Sequence, residues 1–133
     1  MATLTPTLTL ASTDVTSDEL SFSVTTSATV ANTTGLQRKT ITSTAIGTAS
    51  GQVTVDTADT FASPNFIYIK NTHAYHASNN VIYGYWSGDA DGMVLQIHGG
   101  QFVYMPTSGD FTLKLYTSTS GTVVEFMVAG TDA

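Results

Sequence analysis

The sequence predicts an all-β protein, a β-sandwich or barrel, and three observations carry that expectation. Apolar residues recur at every second position through most of the chain, and no stretch of ten residues follows a 3.6-residue period. Thr (25 residues) and Ser (13) make up more than a quarter of the 133 residues, while charged residues are only 11%. β-Branched Thr suits a pleated surface, and the residues that fill helix faces are scarce. Gly, Asn, Asp and Pro interrupt the alternation about every ten residues, the spacing of short strands joined by turns.

The elements follow in order. Residues 3–10 alternate Thr with Leu around Pro6, which cannot donate to a ladder, so an edge strand or extended arm is expected over 1–12. Leu20, Phe22 and Val24 alternate with Ser21 and Ser23, and a polar stretch leads on to Val30. Asn32 to Gly35 is a turn signal, and 37–46 offers a third segment with Ile41 and Ile46 among hydroxyls. Beyond residue 50 the segments become aromatic and strongly apolar: Val53 and Val55, then Phe66 to Lys70, then Val81 to Trp86. Met93 to His98 and Gln101 to Met105 flank Gly99-Gly100, the composition of a two-residue hairpin turn. Phe111, Leu113 and Leu115 form a further strand, residues 118–121 a turn, and Val123 to Val128 the last strand, with Val124, Phe126 and Val128 on one face. This predicts eight to ten strands, with 13–133 a single domain whose densest core lies in 50–130.

Size and charge narrow the function. A 14.0 kDa chain folded on its own exposes about 6,700 Å², roughly a third of its unfolded surface, so one real core is expected without metal or disulfide staples. Four basic residues against ten acidic ones give a net charge of −6, which excludes affinity built on phosphate neutralisation and a polybasic membrane anchor. Nucleic acid and membrane are therefore not expected partners. Cysteine is absent, as suits a fold made in a reducing compartment, and residues 1–6 lack the basic and apolar regions of a secretory signal. No apolar run approaches the ~20 residues that span a bilayer.

Chemical motifs are few. Asp89-Ala90-Asp91-Gly92 places two carboxylates before a glycine, the opening of a calcium loop. Position 93 is Met and no Glu follows until Glu125, so a turn is the expected reading and Asp89 and Asp91 remain metal candidates only in principle. His73 and His76 lie three apart in a polar loop with no third ligand near them in sequence, and only folding could bring His98, before the Gly-Gly turn, close to them, so solvated loop histidines are expected. There is no GxSxG, Walker or GxGxxG pattern, and Glu19 and Glu125 are the only glutamates. No catalysis and no cofactor are expected. The aromatic residues offer more: Tyr83 and Tyr85 share a strand face while Trp86 points to the other with Ile82. Such residues serve as core, as anchors of a protein interface, or as stacking platforms for sugars.

Three blocks of sequence carry a resemblance: Thr5 to Leu10, Ser21 to Thr26 and Arg38 to Ala45. Phe66 to Asn71, Gly99 to Pro106 and Val124 to Val128 extend it across nearly the whole chain. Together they resemble small virion structural proteins of tailed bacteriophages, especially marine and cyanobacterial ones. The resemblance implies a jelly-roll-like sandwich that decorates or cements the outer surface of the head. It implies the major capsid protein as partner, a homo-oligomer with a trimer favoured, an N-terminal arm, and assembly in the host cytoplasm. No catalytic residue comes with it. Leu4, Pro6, Leu8 and Leu10 on the arm, with Tyr83, Tyr85 and Trp86, are the interface candidates. A glycan-binding adhesion module using the three aromatics, or a tail or neck accessory protein, is the alternative.

Overall fold

The computed structural model describes residues 2–15, 18–47, 50–56, 61–87, 92–108 and 111–131. Among them every regular element is a strand, and every pairing is antiparallel. Four short strands open the chain: β1 (Ala2–Leu4), β2 (Thr7–Ser12), β3 (Leu20–Thr25) and β4 (Ala28–Val30). Then come β5 (Asn32–Thr33), β6 (Gln37–Ile41), β7 (Val53–Asp56), β8 (Ala62–Asn71) and β9 (Ile82–Trp86). The chain closes with β10 (Met93–Ile97), β11 (Phe102–Thr107), β12 (Leu113–Thr117) and β13 (Thr122–Thr131).

Two sheets make the sandwich. One has the order β10-β9-β12-β7; the other runs β11-β8-β13, with β5 and β6 successively along the far edge of β13. From β6 onward the pairing is nested. β6 pairs β13, β7 pairs β12, β8 pairs β11 and β9 pairs β10. Between the sheets lie Ile41, Ile67, Ile69, Ile82, Leu113, Leu115, Val124 and Val128, each fully buried, with Phe126 among them. Each such side chain contributes roughly 1.5–3 kcal/mol of burial free energy, so the hydrophobic term is concentrated here. The alternation read from the sequence is this in-and-out pattern; it is strict along β12, while along β13 Val124, Phe126 and Val128 meet the core and Glu125 and Ala129, of the opposite parity, are covered as well.

Three details differ from expectation. Gly99-Gly100 does turn the chain, with Gln101 N–H donating to the His98 carbonyl at 3.0 Å, but it makes no hairpin. β10 belongs to one sheet and β11 to the other, so the turn is an arch between layers. A tight loop was legible; which strands it joins depends on where their apolar faces are buried. Gly99 is required there because a Cβ would overlap the Ala74 carbonyl oxygen. The segment at 37–46 is a strand only to Ile41, after which Thr42 and Ser43 both turn their N–H groups to the Gly51 carbonyl. Phe111 lies outside β12 and is 57% exposed.

The N-terminal segment is not a lone strand. β1 pairs β4 and β2 pairs β3, in one register that is unbroken from Ala2↔Val30 to Ser12↔Leu20. The unit outside the two sheets is therefore a two-stranded ribbon of 2–12 with 20–30, and 20–30 belongs with it rather than with the two sheets. From Ala31, whose N–H donates to the Gly130 carbonyl at 2.9 Å, the chain joins the sandwich edge. The protein exposes 7356 Å², above the size expectation, as an outlying ribbon requires.

Candidate interaction surfaces

The ribbon sorts its residues by parity. Leu4, Pro6, Leu8 and Leu10 share one face with Leu20, Phe22, Val24 and Ala28, because directly opposed residues fall on the same side of a two-stranded sheet. The opposite face carries hydroxyls. Thr7 Oγ1 lies 2.9 Å from Thr25 Oγ1, and Thr9 Oγ1 donates to Ser23 Oγ at 3.3 Å. Neither β-strand segment, 2–12 or 20–30, contains a charged residue. Near the base the apolar face is covered, with Leu4, Pro6 and Ala28 half-buried and Val30 buried. Further out it stands in water: Leu8 is 43%, Leu10 42%, Phe22 44% and Val24 53% exposed.

Backbone polarity follows the same parity. Thr26 N–H donates to the Pro6 carbonyl at 3.2 Å, which marks the Pro6–Thr26 pair as one whose backbone groups point inward. Pro6 withholds its missing donor from that inner ladder, and this is where β1 and β2 separate. Residues of odd number, Thr3, Thr5, Thr7, Thr9 and Ala11, therefore point their N–H and C=O groups to the outer edge. No strand among the described residues pairs with that edge. Proline thus marks a ladder break without blocking the open side.

The ribbon and β11 flank a groove of about 440 Å³, lined by Pro6, Leu8 and Val24 on one side and Phe102, Val103 and Tyr104 on the other. Phe102 is 60% exposed. Tyr104 stacks on Phe66 at 6.2 Å, and burial pushes its phenol above the ordinary tyrosine value. On the same outer sheet face Glu125 accepts from Arg38 Nε at 2.9 Å and from Tyr68 Oη at 3.1 Å. The Arg38 hydrogen bond leads in holding this carboxyl below the usual carboxylate range, against the opposing effect of burial; Tyr68 and Lys70 add to the lowering.

The three aromatic candidates divide between two sides of one sheet. Tyr83 and Tyr85 face outward around Tyr116, with ring centroids 5.1 and 6.0 Å from it. Tyr85 is only 4% exposed and donates its hydroxyl to Gln52 Oε1 at 2.8 Å. Trp86 lies on the inner side against the core, 6.1 Å from the Phe111 ring and beside a cavity of about 250 Å³. They do not form one stacking platform.

The histidines are structural connectors. His73 Nε2 accepts the Val123 N–H at 3.0 Å, and His76 Nδ1 accepts from Ser78 N and Asn79 N at 3.1 and 2.9 Å. His98 Nδ1 sits 3.1 Å from the His76 carbonyl oxygen. Among the described residues no three His, Asp or Glu side chains converge. Asp89 and Asp91 lie outside the described residues. No protein-family model matches the chain, and neither a curated protein nor a solved structure matches it.

Parity along the ribbon was readable for each segment alone. That 2–12 and 20–30 form a single two-faced ribbon was not, since Pro6 indicates only an edge strand or extended arm without naming a partner, and the intervening residues carry no tight-turn signature.

Proposed function

We propose that the chain is a non-enzymatic virion structural protein. It serves as a capsid decoration or cement protein that binds the major capsid protein on the outer face of a tailed-phage head and works as a homo-oligomer. The sandwich acts as a rigid platform. Its nested pairing, first strand with last and inward to the central pair, supports reading it as a jelly roll. The observation that carries the reading is the open outer edge of the ribbon. Five residues there present backbone donors and acceptors free of proline and of charge, the chemistry by which an exposed strand adds to a neighbour's sheet. Repetition over many equivalent sites turns such modest contacts into firm attachment. The net charge of −6 suits an outer position away from packaged DNA.

Thr9→Pro tests it. Thr9 turns its N–H outward, so this substitution removes an edge donor and leaves the ribbon's own ladder intact. Loading onto heads assembled without the protein, measured by co-sedimentation, should fall at least tenfold, while Thr9→Ala, which changes the side chain and keeps the outward N–H, retains edge binding. Equal loading of Thr9→Pro and the parent chain would refute edge addition. Division of the three aromatics between two sides of a sheet leaves no comparable support for the glycan reading.

A further inference from the structure

We infer that the apolar face of the ribbon is the seat of a second copy of this chain, stacked on it about a two-fold axis with the two ribbons running tip to base. This extends the homo-oligomer part of the function proposed above and uses the ribbon's face, leaving its outer edge to the particle. It needs no particle to be true.

The argument starts from area. Leu8, Leu10, Phe22, Val24 and Phe102, each 42–60% exposed, together leave on the order of 500 Å² of apolar surface in water, near the upper limit for a monomer. Two such patches face to face remove about 1,000 Å², and a rim brings the contact to the size of a specific dimer interface. The order of residues along the ribbon suits a two-fold. The opposed pair Leu10↔Phe22 projects just beyond the groove that Leu8, Val24 and Phe102 line, so one two-fold axis seats each copy's pair in the other's groove.

Charge decides both the partner and the orientation. Copies with a net charge of −6 repel, and the ribbon offers 22 residues in its two strand segments without a single charge, so approach there brings no carboxylates together. The connection between β2 and β3 carries Asp14, Asp18 and Glu19. Stacking tip to tip would bring both sets of carboxylates together, as would a three-fold bundle of parallel ribbons; stacking tip to base holds them apart. The hydroxyl face stays outward in water.

The test is sedimentation equilibrium of the full chain without particles, from about 1 μM to about 0.5 mM. The mass should rise from 14.0 kDa to twice that value with concentration, and added salt should tighten association several-fold by screening the net charge. Leu10→Asp and Phe22→Asp should each weaken association at least thirtyfold, whereas Thr9→Asp, on the hydroxyl face, should leave it within about threefold. Circular dichroism checks each fold; should a ribbon variant unfold, Phe102→Ser, on the sandwich surface, takes its place and should weaken association at least tenfold. A 14.0 kDa species at every concentration overturns the inference, as does an equal effect of Thr9→Asp and Leu10→Asp. A limiting mass of three chains overturns the two-fold and favours a trimer. Particle loading is measured separately, so a dimer that does not load on heads refutes only the function proposed above.

Discussion

The sandwich and the ribbon are written in the same alternation of hydroxyl and apolar residues, yet they dispose of their apolar faces in opposite ways. In β12 and β13 the inward residues meet a second sheet and are buried to the last few per cent. In β2 and β3 the equivalent residues meet, among the described residues, only the rim of β11 and remain nearly half in water. The sandwich sets Arg38 against Glu125 as an ion pair, while the ribbon strands carry no charge. The difference teaches that alternation specifies a two-faced strand and leaves open what covers the apolar side. Where the chain supplies the cover, the strand belongs to the core. Where it does not, a second molecule is the natural cover.

The contrast is sharpest in how each region tolerates losing an aromatic ring. Phe126→Ala removes a core side chain that is 2% exposed, and should cost about 3–5 kcal/mol in denaturant unfolding. Phe22→Ser removes the same ring from the ribbon and should cost about 1 kcal/mol or less in dilute solution. Similar losses at the two sites would show that the ribbon is part of the cooperative core and break the comparison.

A smaller effect is expected at the sandwich surface. Because Arg38 holds the folded Glu125 carboxyl below its ordinary value, the stabilisation is complete above about pH 4.3, the unfolded value, and is lost as pH falls through the folded one. Glu125→Gln should remove that part of the acid-side slope and leave the alkaline side unchanged. Urea midpoints measured from pH 6 downwards check it. An unchanged slope would mean that the ion pair, whose arginine side chain is 69% exposed, contributes nothing measurable.

Much of the fold was legible residue by residue. Val124, Phe126 and Val128 were expected on one face and are all core; Tyr83 and Tyr85 were expected opposite Ile82 and Trp86, and they are. Periodicity reports the direction of a side chain relative to its neighbours, and that is local. It does not report which sheet a strand enters. Gly99-Gly100 therefore read as a hairpin although the strands on either side lie in different layers. The interface candidates divide in the same manner. Leu8 and Leu10 are exposed together on one face, but Phe22, Val24 and Phe102 complete the patch from strands that sequence reasoning had no ground to place beside them.

What composition and alternation settled without coordinates is the chemical character of the chain: strands throughout, hydroxyls for solvation, little charge, and segments with one apolar face. These are properties of adjacent residues, set by backbone sterics and side-chain transfer energies. Folding in three dimensions settled the partnerships: 2–12 with 20–30, β6 with β13, the aromatics on separate sides, and a stripe of apolar side chains left uncovered. Pairing joins residues far apart in sequence, and it is chosen by which apolar faces can be buried against each other at once, a condition on the whole chain that no local pattern contains.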